Sequence, residues 1–102
     1  MNRRDCWFLE YIYVEWIHHF IDEPIILISE LDENRYETRK IEIYKDGQVG
    51  FAFNDVEVFN AGLGIEPVPS IDEIASESEF LPKEITKEEF EKFWNDKVLP
   101  LL

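Results

Sequence analysis

The stretch that most constrains this chain is RYETRKIEIYKDGQVGFAF, residues 35–53. Its two halves are rich in Ile, Tyr, Val and Phe, which favour a pleated, half-buried backbone. Between them Asp46 and Gly47 form the dipeptide of a two-residue type I′ hairpin turn, in which both central residues take positive φ. An antiparallel hairpin is expected here. A lone hairpin is at best marginally stable in water, so further strands must be built beside it.

The upstream sequence supplies them. EYIYVEWIH at 10–18 alternates, with Ile12, Val14, Trp16 and His18 on one face and Tyr11, Tyr13, Glu15 and Ile17 on the other. Both faces are partly apolar, which places this strand inside a sheet. IILISEL at 25–31 is β-branched and apolar, and the turn that follows contains Asn34, a residue that tolerates the left-handed region. In the second hairpin strand Gly50 and Ala52 share a face, which suggests that another element approaches closely there.

Downstream the period changes. Residues 54–69, with Gly62, Gly64, Pro67 and Pro69, read as a long loop. SIDE at 70–73 and TKEE at 86–89 are both capping boxes, with Ser70 and Thr86 as N-caps. The first opens a short helix. The second opens a C-terminal helix with Ile85 and Phe90 at its staple positions and an apolar stripe of Phe90, Phe93, Trp94 and Val98. The expected fold class is α+β: a four-stranded antiparallel β-meander (10–19, 24–32, 35–45, 48–54) with the short helix and the C-terminal helix packed on one face. The 102 residues suit a single domain, with residues 1–9 as a loosely ordered lead-in.

Charge narrows the function. The net charge is −13, and two segments, 21–34 and 51–82, contain no Lys or Arg. A surface meant only for solubility usually intersperses both signs. Direct binding to a nucleic-acid backbone or an anionic membrane is disfavoured, since both need basic side chains. A basic protein partner is favoured. No run approaches the length of a membrane helix, and Asp5 and Glu10 interrupt the apolar start, so no signal peptide is read. Cys6 is the only cysteine, which fits a reducing, cytoplasmic setting and has no base beside it to make a nucleophile.

Candidate chemistry is sparse. His18 with Asp22 and Glu23 has the donor types for a metal-binding or hydrolytic site, but no second His or Cys group completes a ligand set. The ordinary reading is a polar cluster at a strand end. Glu15 and Glu30 lie within apolar strands and are expected to pair with Arg39 or Lys40 across the sheet or to lie exposed. Gly62 and Gly64 precede no phosphate-binding helix. Trp7 and Phe8 either cap the core or form a contact patch. No catalytic residue, metal or cofactor is expected, and the chain reads as a monomer. The residues expected to meet a partner are Glu30, Asp32, Glu33, Asp72 and Glu73. A nucleic-acid enzyme must present Lys and Arg to phosphates, and an acidic inhibitor can occupy those groups.

The pieces VEWIH (14–18), DEP (22–24), SELDENRYETRKIEIYKDG (29–47), PSIDEI (69–74) and EFLPKEITKEEFEKFW (79–94) together resemble a family of small bacterial proteins of unknown function. The resemblance carries no catalytic residues. Its members are similar in class to immunity proteins, which neutralise bacterial toxins, including those of contact-dependent growth inhibition. The expectation is therefore an immunity protein that occludes the active cleft of a cognate toxin, a basic nuclease, in the cytoplasm. The alternatives are a small metal-binding or hydrolytic domain using His18, Asp22 and Glu23, or an accessory protein-binding domain.

Overall fold

The computed structural model describes residues 9–102. The expectations for Cys6, Trp7, Phe8 and the lead-in lie outside the described residues, apart from Leu9. Among the described residues the sheet has six strands: β1 (Glu10–Trp16), β2 (Ile26–Leu31), β3 (Glu37–Ile43), β4 (Val49–Phe53), β5 (Val56–Val58) and β6 (Phe80–Ile85). Their order is β5-β4-β3-β2-β1-β6, antiparallel throughout. The four-strand expectation is thus corrected by one strand at each edge. β5 follows β4 through Asn54 and Asp55, with Asn54 at φ 52°. β6 was obscured by Pro82, which lacks a ladder donor and is tolerated because β6 is an edge strand.

Several boundaries also shift, each for a local reason. β1 stops at Trp16 because the His18 ring closes a turn, with Nε2 against the Pro24 carbonyl at 2.8 Å and Nδ1 accepting from the Phe20 amide at 2.9 Å. The left-handed residue after β2 is Arg35 (φ 66°), not Asn34. The β3–β4 connection is a three-residue loop and not a two-residue type I′ turn. Gly47 has φ 91° and Asp46 does not take positive φ. The Gly47 amide donates to the Tyr44 carbonyl, the Tyr44 amide donates to the Gln48 carbonyl, and Asp46 Oδ1 accepts from the Gln48 amide. This is the bulged loop form in which only the last residue needs the left-handed region.

Among the described residues both α-helices start where their capping boxes predict. α1 (Ile71–Ala75) and α2 (Lys87–Phe93) each have the reciprocal pair of side-chain bonds, Ser70 with Glu73 and Thr86 with Glu89. α2 widens into a π-helical turn at Trp94–Val98 and ends in a 3₁₀ turn at Leu99–Leu101. Phe90, Trp94 and Val98, four residues apart, are buried against Tyr11, Ile28, Ile41 and Phe51 of the sheet. α1 does not join α2. It packs on the opposite face, where Val68, Ile71, Ile74 and Phe80 meet Ile12, Val14 and Leu31. The chain between β5 and β6 (59–79) therefore crosses the second face of the sheet. Gly50 allows this passage: a Cβ there would lie 3.0 Å from the carbonyl oxygens of both Val58 and Phe59.

One ion-pair group ties α2 to the sheet. Arg39 Nε and Nη2 donate to the two oxygens of Glu30 at 2.9 and 2.8 Å, and Nη2 also donates to Glu91 of α2 at 2.6 Å. Thr38 Oγ1 donates to Glu30 at 2.8 Å. The guanidinium lies 4.8 Å from the Phe90 ring centroid and 4.9 Å from that of Trp94. Burial works against the Glu30 charge, but the bonds from Arg39 and Thr38 outweigh it and hold its pKa below the usual range. Glu15, by contrast, is exposed opposite Ile26 and Leu81 and does not share this site.

Arg39→Ala leaves Glu30 buried without its cation and is expected to cost about 3–5 kcal/mol in urea unfolding at neutral pH. The depressed Glu30 pKa contributes stability above its unfolded value and loses it as pH falls through the folded value. The deficit of the variant should therefore shrink in acid; a deficit independent of pH would count against the ion pair. Gly50→Ala is expected to cost roughly 1–3 kcal/mol by crowding the β5 backbone, read from the midpoint of the same titration.

Candidate functional site: a groove under the crossover

The two faces of the sheet are covered unequally. α2 seals the first. Among the described residues the second is spanned only by the crossover, with its single short helix. Arg35 clamps one end of this passage. Its carbonyl accepts from the Val68 amide at 2.8 Å, its Nε donates to the Val68 carbonyl at 2.9 Å, and its Nη2 donates to the Pro69 carbonyl at 2.7 Å. Nη1 reaches Glu10 at 2.7 Å.

Polar side chains from β2 and β3 hold the middle. Glu37 Oε1 accepts from the Gly64 amide at 2.8 Å, and Oε2 accepts from Ser29 Oγ at 3.2 Å. Lys40 Nζ lies 3.6 Å from Glu37, 3.4 Å from Glu42 and 3.5 Å from the Gly62 carbonyl. Ser29 and Glu42 are buried. Burial raises the Glu42 pKa, against the opposing pull of Lys40. Burial and the neighbouring Glu42 also push the Tyr44 hydroxyl up.

Between crossover and sheet lies a cavity of about 520 Å³. Ile12, Val14 and Leu27 form its floor, Val68, Ile74 and Phe80 its walls, and Glu73 and Glu77 stand at α1. A second hollow of about 490 Å³ adjoins it through Leu27 and Lys40, and includes Trp16, Asp22, Glu23, Glu42 and Tyr44. The result is a groove with an apolar floor, a polar centre whose groups are bonded to one another, and carboxylates at both ends. Cavities of this size, mostly apolar with a few convergent polar groups, are the usual form of binding sites.

The expected partner-binding residues are not gathered into one patch. Glu30 is buried on the opposite face with Arg39, so its carboxylate is not exposed. Asp32 is partly committed to its own turn, accepting from the amides of Asn34 and Tyr36. Glu33, Asp72 and Glu73 are exposed, and the Arg35 clamp joins the turn of the first to the segment leading into α1. Only Glu73 lines the cavity. Asp22 and Glu23 line the second hollow, but both His18 ring nitrogens are used in the local turn. Among the described residues no group of three or more His, Cys, Asp or Glu side chains could hold a metal ion. Lys40, expected to pair with Glu15 or Glu30, instead lies between Glu37 and Glu42, a grouping outside the sequence expectation. A signal was available, since three charged residues at 37, 40 and 42 interrupt a strand flanked by apolar ones.

A six-stranded antiparallel sheet with one helix-sealed face and one grooved face defines a small α+β domain. The chain belongs to the family described as Domain of unknown function (DUF6881), whose model matches residues 10–99. No match was found among curated proteins or among solved structures. No helix among the described residues is long and apolar enough to cross a membrane.

Because the folded Glu42 pKa is raised, its ionisation removes stability as pH rises from the unfolded value through the folded one. Glu42→Gln lacks this loss. The stability of the variant relative to the native chain is expected to increase with pH across that window, measured by urea titrations in a pH series. A flat difference would show that Lys40 fully compensates the burial.

Proposed function

We propose that this chain is a binding protein with no reaction of its own, an immunity protein that neutralises a basic toxin by covering its cationic cleft. The observation that carries the proposal is the placement of exposed acids around the grooved face. Glu33 and Asp72 flank the Arg35 clamp, Glu73 and Glu77 stand at α1, and Asp22 and Glu23 stand at the far end. Opposite charge steers encounter and fixes register, and the fully desolvated centre of an interface supplies most of the affinity. A face with acids at its ends and an apolar hollow between them supplies both. A nuclease is the toxin class favoured, because its phosphate-binding Lys and Arg must lie exposed in a cleft. Such a partner would be met in the cytoplasm of the producing cell by a monomer of this chain.

The test asks whether the upstream gene encodes the C-terminal end of a large secreted toxin and, where it does, co-expresses that domain with this chain. The native chain is expected to restore growth and to bind that domain with an association rate that falls about tenfold or more from low to high salt. Glu33→Lys with Asp72→Lys should slow association and flatten its salt dependence. Absence of both protection and complex would overturn the proposal.

A further inference from the structure

The cavity beneath the crossover has features that a general acidic surface does not require. It is walled by Val68, Ile74 and Phe80 over a floor of Ile12, Val14 and Leu27, at about 520 Å³. Its polar groups are already satisfied: Ser29 and the Gly64 amide bond to Glu37, and Lys40 sits between Glu37 and Glu42. An occupant therefore gains by filling apolar volume and not by replacing an internal hydrogen bond. At the α1 side the exposed carboxylate of Glu77 has water access, with Glu73 beside it in its capping box. Two opposite demands thus fall on one occupant, an apolar body for the hollow and positive charge for the rim.

We propose that this cavity receives a large aromatic or aliphatic side chain from a protein segment that carries Lys or Arg on either side of it. The inference rests on the binding function proposed above and names the chemistry of the anchor. Buried aromatic anchors in desolvated pockets dominate many interfaces, and peripheral charge sets encounter and selectivity. The rim disfavours acidic segments, because a carboxylate entering beside Glu73 and Glu77 would meet like charge. It also disfavours a purely apolar segment, which gains nothing at the rim.

The test uses three capped tripeptides, Lys-Trp-Lys, Lys-Ala-Lys and Glu-Trp-Glu, titrated into the full chain and followed by side-chain methyl and aromatic NMR signals. Lys-Trp-Lys is expected to shift Ile12, Val14, Leu27, Ile74 and Phe80 first, and to bind at least about tenfold more tightly than either control. Glu77→Lys, an exposed change, should weaken Lys-Trp-Lys and strengthen Glu-Trp-Glu. Val68→Phe, which fills the cavity from the crossover side, should abolish the shifts while the remaining spectrum keeps its dispersion. The inference is overturned if Lys-Trp-Lys leaves the cavity signals unmoved, if Glu-Trp-Glu binds equally well, or if Glu77→Lys changes neither affinity. These readouts use no partner toxin. Failure here with growth protection intact refutes the anchor alone, whereas loss of protection with tripeptide binding intact refutes the immunity function alone.

Discussion

The interaction on which the arrangement depends is the bridge that Arg39 makes between β2 and α2. Its guanidinium binds Glu30 of the neighbouring strand and Glu91 of the helix, and lies over the rings of Phe90 and Trp94. Only a planar, permanently charged group can make these contacts at once. The apolar stripe of α2 is drawn to the sheet by burial, which is not directional. The charge-assisted bonds fix where along the sheet the helix rests. With Phe90 and Val98 fully buried there, one face of the sheet is closed.

Closing that face with α2 leaves the other to the crossover. A passage of about twenty residues with one five-residue helix cannot seal a six-stranded sheet. It is held at points instead: at Arg35, at the Glu37–Lys40–Glu42 group and at the close approach over Gly50. Between those points the apolar floor stays open. The polar group under the crossover serves as a set of fasteners. A buried charge group of this kind adds little net stability but fixes one arrangement against others. The hollow follows from the same economy of cover, and the carboxylates at its ends give it a sign.

Sequence signals and structure agree where the physics is local. The capping boxes at Ser70 and Thr86 depend on residues three apart, and both formed. The β1–β4 strands follow the alternation of their side chains, and the close approach at Gly50 follows from a missing Cβ. The Glu30–Arg39 pair was one of the expected cross-strand pairings, and the two residues do face each other in register. The errors lie where a local rule had two solutions. Asp46 and Gly47 suit either a two-residue turn or a three-residue bulged loop, and the flanking register chose the second. Pro82 argues against a central strand but not against an edge strand. The short VEV run of β5 becomes a strand only because β4 lies beside it.

The sequence by itself determined the α+β class, the order of its main strands, both helix starts and an acidic surface, because each depends on neighbours in the chain or on composition. Tertiary structure alone decided which face each helix covers, that Glu30 is buried instead of exposed, and that Glu37 meets Gly64 and Lys40 meets Gly62 beneath a crossover. The two crossover contacts join residues more than twenty positions apart. Alternation tells which side chains share a face of a strand, but not which element will cover that face or how completely. The groove exists because β6 adds beside β1 and not beside β5, which sends the chain back across the sheet.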